Sequence, residues 1–151
     1  ALMMGLAHEL CGELGLGWQR RMQMFAPLLE GPNPPPGIVR MGAKYRCDAA
    51  DARAAGARIA RQLTALAAQL KAQHARGRPF FVGETLTALD LYWVAFMNLL
   101  DLLPSAQCPV PDALRPMFAL HDDTVRAALD PVLVAHRDRV FAGYFRNPME
   151  L

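Results

Sequence analysis

The sequence has few cysteines, no long apolar run and almost no net charge. Its three cysteines, Cys11, Cys47 and Cys108, are scattered and form no C-x-x-C pair, a pattern typical of reduced thiols in a cytoplasmic protein. No uninterrupted apolar segment reaches the roughly 18–20 residues that a membrane-spanning helix needs. The 16 basic and 14 acidic residues leave a net charge of +2, too small to indicate a surface for nucleic acid or an anionic membrane. The sequence therefore predicts a cytoplasmic protein that binds neither.

Motifs for metal binding and catalysis also fail on spacing. His8-Glu9 begins a zinc-protease pattern, but the second histidine would fall on Gly12. A His-Arg-Asp run at 136–138 imitates a kinase catalytic loop, yet the asparagine expected five residues after the aspartate is Gly143. No cysteine has a nearby histidine in sequence that would mark an activated nucleophile. We therefore expect no metal, no bound cofactor and no catalytic residue in this chain.

Three other segments each allow a functional and a structural interpretation. The His-Asp-Asp run at 121–123 could be an acid/base cluster, or it could cap the helix that follows it. Arg53, Arg58 and Arg61 could form a docking patch or a solvated helix face. The proline-rich segment Pro32–Pro36 could be recognised by a partner or serve as a stiff surface connection. We favour the structural interpretation in all three cases.

Helical periodicity dominates the rest of the chain. In the first helix, leucines recur at every fourth residue from Leu2 to Leu14, and in another Ile59, Leu63 and Leu70 share a seam. The predicted elements are a helix over 1–30 with a break at 15–17, a loop to about 47, helices over 48–75 and 87–103, short helices near 112 and 123, and a last helix over 130–144. The sequence thus predicts one all-α domain over 1–151, a bundle of five or six helices.

The central stretch of the sequence runs from 80 to 103 and opens with a capping box. The Thr87 hydroxyl can accept from the backbone N–H of Asp90, while the Asp90 carboxylate reaches back to the N–H of Thr87. Leu86 and Leu91 stand where two apolar side chains close a hydrophobic staple. The residues after the box are almost all apolar, so we expect the helix to be buried nearly all round.

A family resemblance rests on this same stretch. Gly83, the Thr87-x-x-Asp90 box and the Asp90-Leu91-Tyr92 run resemble the segment that opens the central helix in the C-terminal all-helical domain of bacterial glutathione transferases. The order and spacing of the other helices are similar as well. The resemblance implies an orthogonal helical bundle in which the box is a structural nucleus. It also implies that catalysis belongs to a thioredoxin-like N-terminal domain, whose elements are absent here, with glutathione as the co-substrate of the complete protein.

The resemblance further implies a binding site and partners. In that family the electrophile pocket lies between the thioredoxin-like domain and the first long helix, so the outer margin of this helix is its candidate wall. The candidate wall residues are Met4, His8, Cys11, Trp18 and Arg21. The implied partners are the thioredoxin-like domain, a second copy in a homodimer, and a small hydrophobic electrophile.

Two further expectations concern the chain as a whole. The apolar start at Ala1, Leu2 and Met3 has no capping side chain. We therefore expect a fragment whose first helix is covered by a preceding domain or a second subunit and which shows no transferase activity alone. The alternative function is a non-catalytic, transferase-like interaction or scaffold domain.

Overall fold

The computed structural model describes residues 1–149 and is all-helical, with no strand in that range. This confirms the all-α prediction. The α-helices are α1 (Leu2–Cys11), α2 (Leu16–Leu29), α3 (Pro36–Lys44), α4 (Ala49–His74), α5 (Ala88–Met97), α6 (Asp123–Ala128) and α7 (Pro131–Tyr144), and a short 3-10 helix spans Arg115–Phe118.

The longest helix, α4, begins and ends close to the predicted residues. The Asp48 carboxylate caps it by accepting from the backbone N–H groups of Ala50 at 2.7 Å and Asp51 at 3.1 Å. The predicted apolar seam is buried. No more than 1% of the surface of each of its residues is exposed, for Ile59, Leu63, Leu66 and Leu70. Helix α4 packs through this seam against α2, α6 and α7, so it is the scaffold on which the other helices are placed.

The central helix α5 is shorter and more exposed than predicted. It ends at Met97 instead of running to Leu103, because the side chain of Asn98 accepts from the backbone N–H of Leu103 at 3.1 Å and closes a turn there. Helix α5 contacts α1 and α7. Leu91 and Tyr92 lie on the face turned away from these helices and are 36% and 44% exposed. The expectation of burial nearly all round is therefore wrong for the face of α5 that carries Leu91 and Tyr92.

The first helix and the proline-rich loop also differ from prediction. The chain leaves α1 at Gly12 and turns through Leu14, which has a left-handed φ of 60°, so the break precedes the predicted one at 15–17. The predicted loop from 31 to about 47 contains α3, which begins with Pro36 at its first position. Proline suits that position because its missing N–H would have no partner in the helix.

Candidate functional site

The Asp90 carboxylate lies at the head of α5, fully buried and surrounded by donors. Both arms of the capping box with Thr87 are present. One carboxylate oxygen, Oδ2, accepts from the backbone N–H of Thr87 at 2.9 Å and from its hydroxyl at 2.7 Å. The other oxygen, Oδ1, accepts from the backbone N–H of Phe81 at 3.0 Å and lies 2.9 Å from His136 Nε2. The carboxylate thus joins α5 to the segment before it and to α7.

The tautomer of His136 follows from its second partner. A guanidinium nitrogen of Arg139 lies 2.7 Å from His136 Nδ1, and a guanidinium can only donate. Nδ1 therefore accepts, and Nε2 carries the hydrogen that is donated to Asp90. The histidine and the carboxylate are both buried. Both ring nitrogens and both carboxylate oxygens have hydrogen-bond partners within the protein. The pair is therefore a structural link and is not accessible to a substrate.

The electrostatics of Asp90 agree with a structural role. Burial alone would raise the pKa of this carboxyl, but the hydrogen bonds from His136, Phe81 and Thr87 outweigh that effect. The pKa of Asp90 therefore lies below its ordinary value. A general acid at neutral pH needs the opposite shift.

The contribution of Asp90 to stability is expected to vanish in acid. Its pKa is lower in the folded than in the unfolded chain, so the stabilisation is complete above the unfolded value of about 4 and is lost as the pH falls through the folded value. Urea unfolding of the parent and of Asp90→Asn between pH 7 and pH 3 should show a difference in free energy of unfolding that narrows as the pH falls below about 4. A gap of constant size over that range would contradict this.

The five residues predicted to form the pocket wall divide into two sets. Met4, His8 and Cys11 lie along α1 and are exposed, with Met4 66% exposed. Burial by neighbouring atoms raises the pKa of the Cys11 thiol, while the positive charge of Arg21 acts in the opposite direction. Because the net shift is upward, Cys11 is not an activated nucleophile.

Trp18 and Arg21, the second set, lie on α2 and meet at the ring of Tyr45. The Arg21 guanidinium carbon lies 5.5 Å from the centroid of the Tyr45 ring and 5.4 Å from that of Phe96, and Trp18 packs edge-on against Tyr45 at 4.9 Å. Arg21 Nη1 donates to the backbone carbonyl of Gly17 at 3.1 Å. The structure therefore groups Trp18 and Arg21 with two aromatic rings, while Met4 and His8 remain one to two turns away from Cys11 along α1.

Arg21 stands at the edge of an apolar cavity of about 470 Å³. The cavity, called here the Arg21 cavity, is open to solvent on one side and is lined by α2, α3, the end of α5 and the 3-10 helix. Its larger apolar side chains include Met24, Phe25, Met41, Phe96, Met117 and Phe118. Arg21 is the one charged residue in this lining, as far as residues 1–149 show. Sequence reasoning missed the cavity, although the spacing of Ile38 and Met41 in the supposed loop was a helical signal.

A larger cavity, of about 620 Å³, lies between residues 101–107, which follow α5, and α7. The arginine in its lining, Arg137, is already paired with groups of the protein. The guanidinium donates to the backbone carbonyl of Asp101 at 2.7 Å, to the Asp101 carboxylate at 2.9 Å and to the Asp138 carboxylate at 2.6 Å. With its charge neutralised by two carboxylates, this cavity is a weaker candidate for ligand binding than the Arg21 cavity.

Asp122 and Arg58, from two of the other charged segments, have structural partners. Asp122 caps α6 by accepting from the backbone N–H of Val125 at 3.1 Å, and its second oxygen accepts from Gln23 at 2.8 Å. Arg58 pairs with Asp51 on its own helix at 3.1 Å. The cap interpretation of the 121–123 run is therefore confirmed for Asp122.

Comparisons of the chain with protein-family models, curated proteins and solved structures give no match. Over the described part of the chain, residues 1–149, no helix has the length and apolar content needed to cross a bilayer. In the same range no three His, Cys, Asp or Glu side chains are grouped so that they could hold a metal ion. The Arg21 cavity is thus the feature on which a functional proposal can be built.

Proposed function

We propose that the chain is the helical half of a bacterial-type, cytoplasmic glutathione transferase-like protein and that it supplies the wall of a pocket for a small hydrophobic electrophile. The observation that carries the proposal is the Arg21 cavity, an apolar recess of about 470 Å³ beside α2 with aromatic rings at its edge. Recesses of roughly 300–1,000 Å³ with apolar walls and few polar groups are typical small-molecule sites. The capping box of Thr87 and Asp90 at the start of the central helix supports the proposal through its resemblance to the corresponding segment of that family.

In this proposal the chemistry comes from another domain. Ionising a thiol with a pKa near ~8.5 needs a hydrogen-bond donor or a positive dipole beside the sulfur. Asp90 and His136 are enclosed by their own partners, and the shift at Cys11 is in the wrong direction for a nucleophile. A thioredoxin-like domain would bind and ionise glutathione, and the helical chain would hold the electrophile.

A second candidate function is a non-catalytic interaction domain. Leu2 and Met4 on α1 are 51% and 66% exposed, and Leu91 and Tyr92 on the adjoining helix α5 are exposed as well. Exposed apolar side chains on two packed helices favour a protein partner. A thioredoxin-like domain or a second copy of the chain would cover them in the transferase proposal, and an unrelated protein would cover them in the interaction proposal.

The test compares the 151-residue chain with the full product of its gene in the presence of glutathione and 1-chloro-2,4-dinitrobenzene. We expect turnover by the full product and none by the chain alone. In the full product, Phe96→Ala should raise KM for the electrophile and leave KM for glutathione unchanged, whereas Leu28→Ala on the exposed side of α2 should change neither. Turnover by the purified chain, or equal effects of the two substitutions, would contradict the proposal.

A further inference from the structure

We infer that the Arg21 cavity takes an amphipathic organic anion, a molecule with an apolar body and one carboxylate, and that the Arg21 guanidinium binds the carboxylate. The inference rests on the proposed small-molecule role of the cavity and names the class of ligand. It is independent of glutathione and of any catalytic step.

Within residues 1–149 the charge of Arg21 has no carboxylate partner. Its one hydrogen bond within residues 1–149 goes to the neutral carbonyl of Gly17 at 3.1 Å, and no carboxylate of that range lies within ion-pair distance. An arginine side chain has five N–H donors. The residue is partly buried beside apolar walls, and a ligand carboxylate would supply a charged partner for the N–H donors that the described residues leave free.

Two aromatic rings help to position the guanidinium. Tyr45 and Phe96 hold it at 5.5 and 5.4 Å from their ring centroids, distances at which a cation is attracted to an aromatic face. The ring of Phe96 also lines the cavity. A planar fork held in this way matches a carboxylate with two parallel hydrogen bonds and loses little side-chain freedom on binding.

The remainder of the cavity suits an apolar body of variable shape. Met24, Met41 and Met117 come from three different segments of the chain, α2, α3 and the 3-10 helix. Methionine side chains are unbranched and flexible, so they adjust to chains or rings of different outline. The cavity therefore places a cation at one edge and an adaptable apolar wall beside it, which is the arrangement that an anionic amphipath needs.

Methionine methyl groups provide a direct test on the chain itself. The sequence has eight methionines. With their methyls labelled with carbon-13, Met24, Met41 and Met117 report on the cavity, while Met3 and Met97 report on the main core. Titration with decanoate should shift the three cavity signals and leave the two core signals in place. Decanol, which has the same chain without the charge, should bind at least tenfold more weakly.

Variants of Arg21 separate charge from shape. Arg21→Gln should weaken decanoate binding at least tenfold and leave decanol binding unchanged, and Arg21→Lys should fall between parent and Arg21→Gln. The control is Arg40→Gln on the exposed side of α3, which should bind decanoate like the parent. Unmoved Met3 and Met97 signals will show that each variant is folded.

Three outcomes would overturn the inference: equal affinity for decanoate and decanol, loss of decanoate affinity in Arg40→Gln to the same degree as in Arg21→Gln, or shifts confined to methyls outside the cavity. A titration with 1-chloro-4-nitrobenzene distinguishes this failure from that of the proposed function. If the neutral aromatic shifts the three cavity methyls and decanoate does not, the cavity remains a site for electrophiles and the anion inference is wrong.

Discussion

Replacing Asp90 with alanine is expected to lower the free energy of unfolding by about 3–5 kcal/mol, because removing one member of a buried charged hydrogen-bond network leaves its partners unpaired. An ordinary helix cap contributes only about 0.5–2 kcal/mol. The larger value is expected here because the carboxylate is fully buried and also accepts from Phe81 and His136, which belong to other segments. Without the carboxylate, buried donors from three parts of the chain lose their acceptor.

Chemical unfolding followed by circular dichroism would measure this loss. Asp90→Asn keeps the shape and one acceptor oxygen, so it should lie between the parent and Asp90→Ala. Asp123→Ala is the matched control, since that carboxylate also lies in the first turn of a helix but is paired with Arg126 at the surface. If the Asp90 and Asp123 variants unfolded at the same denaturant concentration, the buried network would contribute no more to stability than a surface ion pair does.

Gly17→Ala is expected to lower stability by about 1–3 kcal/mol, the usual cost of forcing extra volume into a packed site. An added Cβ at Gly17 would lie 2.0 Å from Phe96 Cε1 and 2.2 Å from its Cδ1. The ring would have to move, and with it one of the two aromatic faces that hold Arg21. The expected sign is opposite to the general rule for helices, where alanine is more favourable than glycine by about 0.5–1 kcal/mol.

The matched control is Gly5→Ala in α1. Nothing lies within 4 Å of a Cβ added at Gly5, so this substitution should raise the thermal midpoint. In a Phe96→Ala background the obstacle to Gly17→Ala is gone, and the substitution should become neutral or stabilising. A destabilising effect that persisted without the Phe96 ring would show that the contact is not its cause.

Local signals explain what sequence alone could predict of the fold. The Asp48 cap, the seam of α4 and the box of Thr87 and Asp90 each depend on residues within one or two turns of one another. Spacing is therefore enough to recognise them. The other two donors to Asp90 are not local, since Phe81 is nine residues away and His136 is 46 residues away. The periodic pattern of a sequence does not predict hydrogen bonds between residues so far apart.

The candidate site was less accessible to sequence reasoning. The family resemblance drew attention to Arg21, but Tyr45, one of the two rings beside it, lies within the segment predicted to be a loop, directly after the last residue of α3. The proline-rich sequence before α3 suggested an irregular connection, whereas Pro36 in fact starts a helix. The cavity is formed by four separate segments, so it exists only after they have packed together.

The position of the Arg21 cavity has a consequence for how this protein can evolve. The buried residues beside it, Met24, Phe25 and Leu99, form a small cluster separate from the main core around Trp93. Substitutions at Met24 and Phe25 would change the shape of the recess directly, whereas Phe96 packs against both clusters and links the recess to the core around Trp93. The recess can therefore change its shape among descendants of this sequence through Met24 and Phe25, whereas a change at Phe96 also acts on the main core.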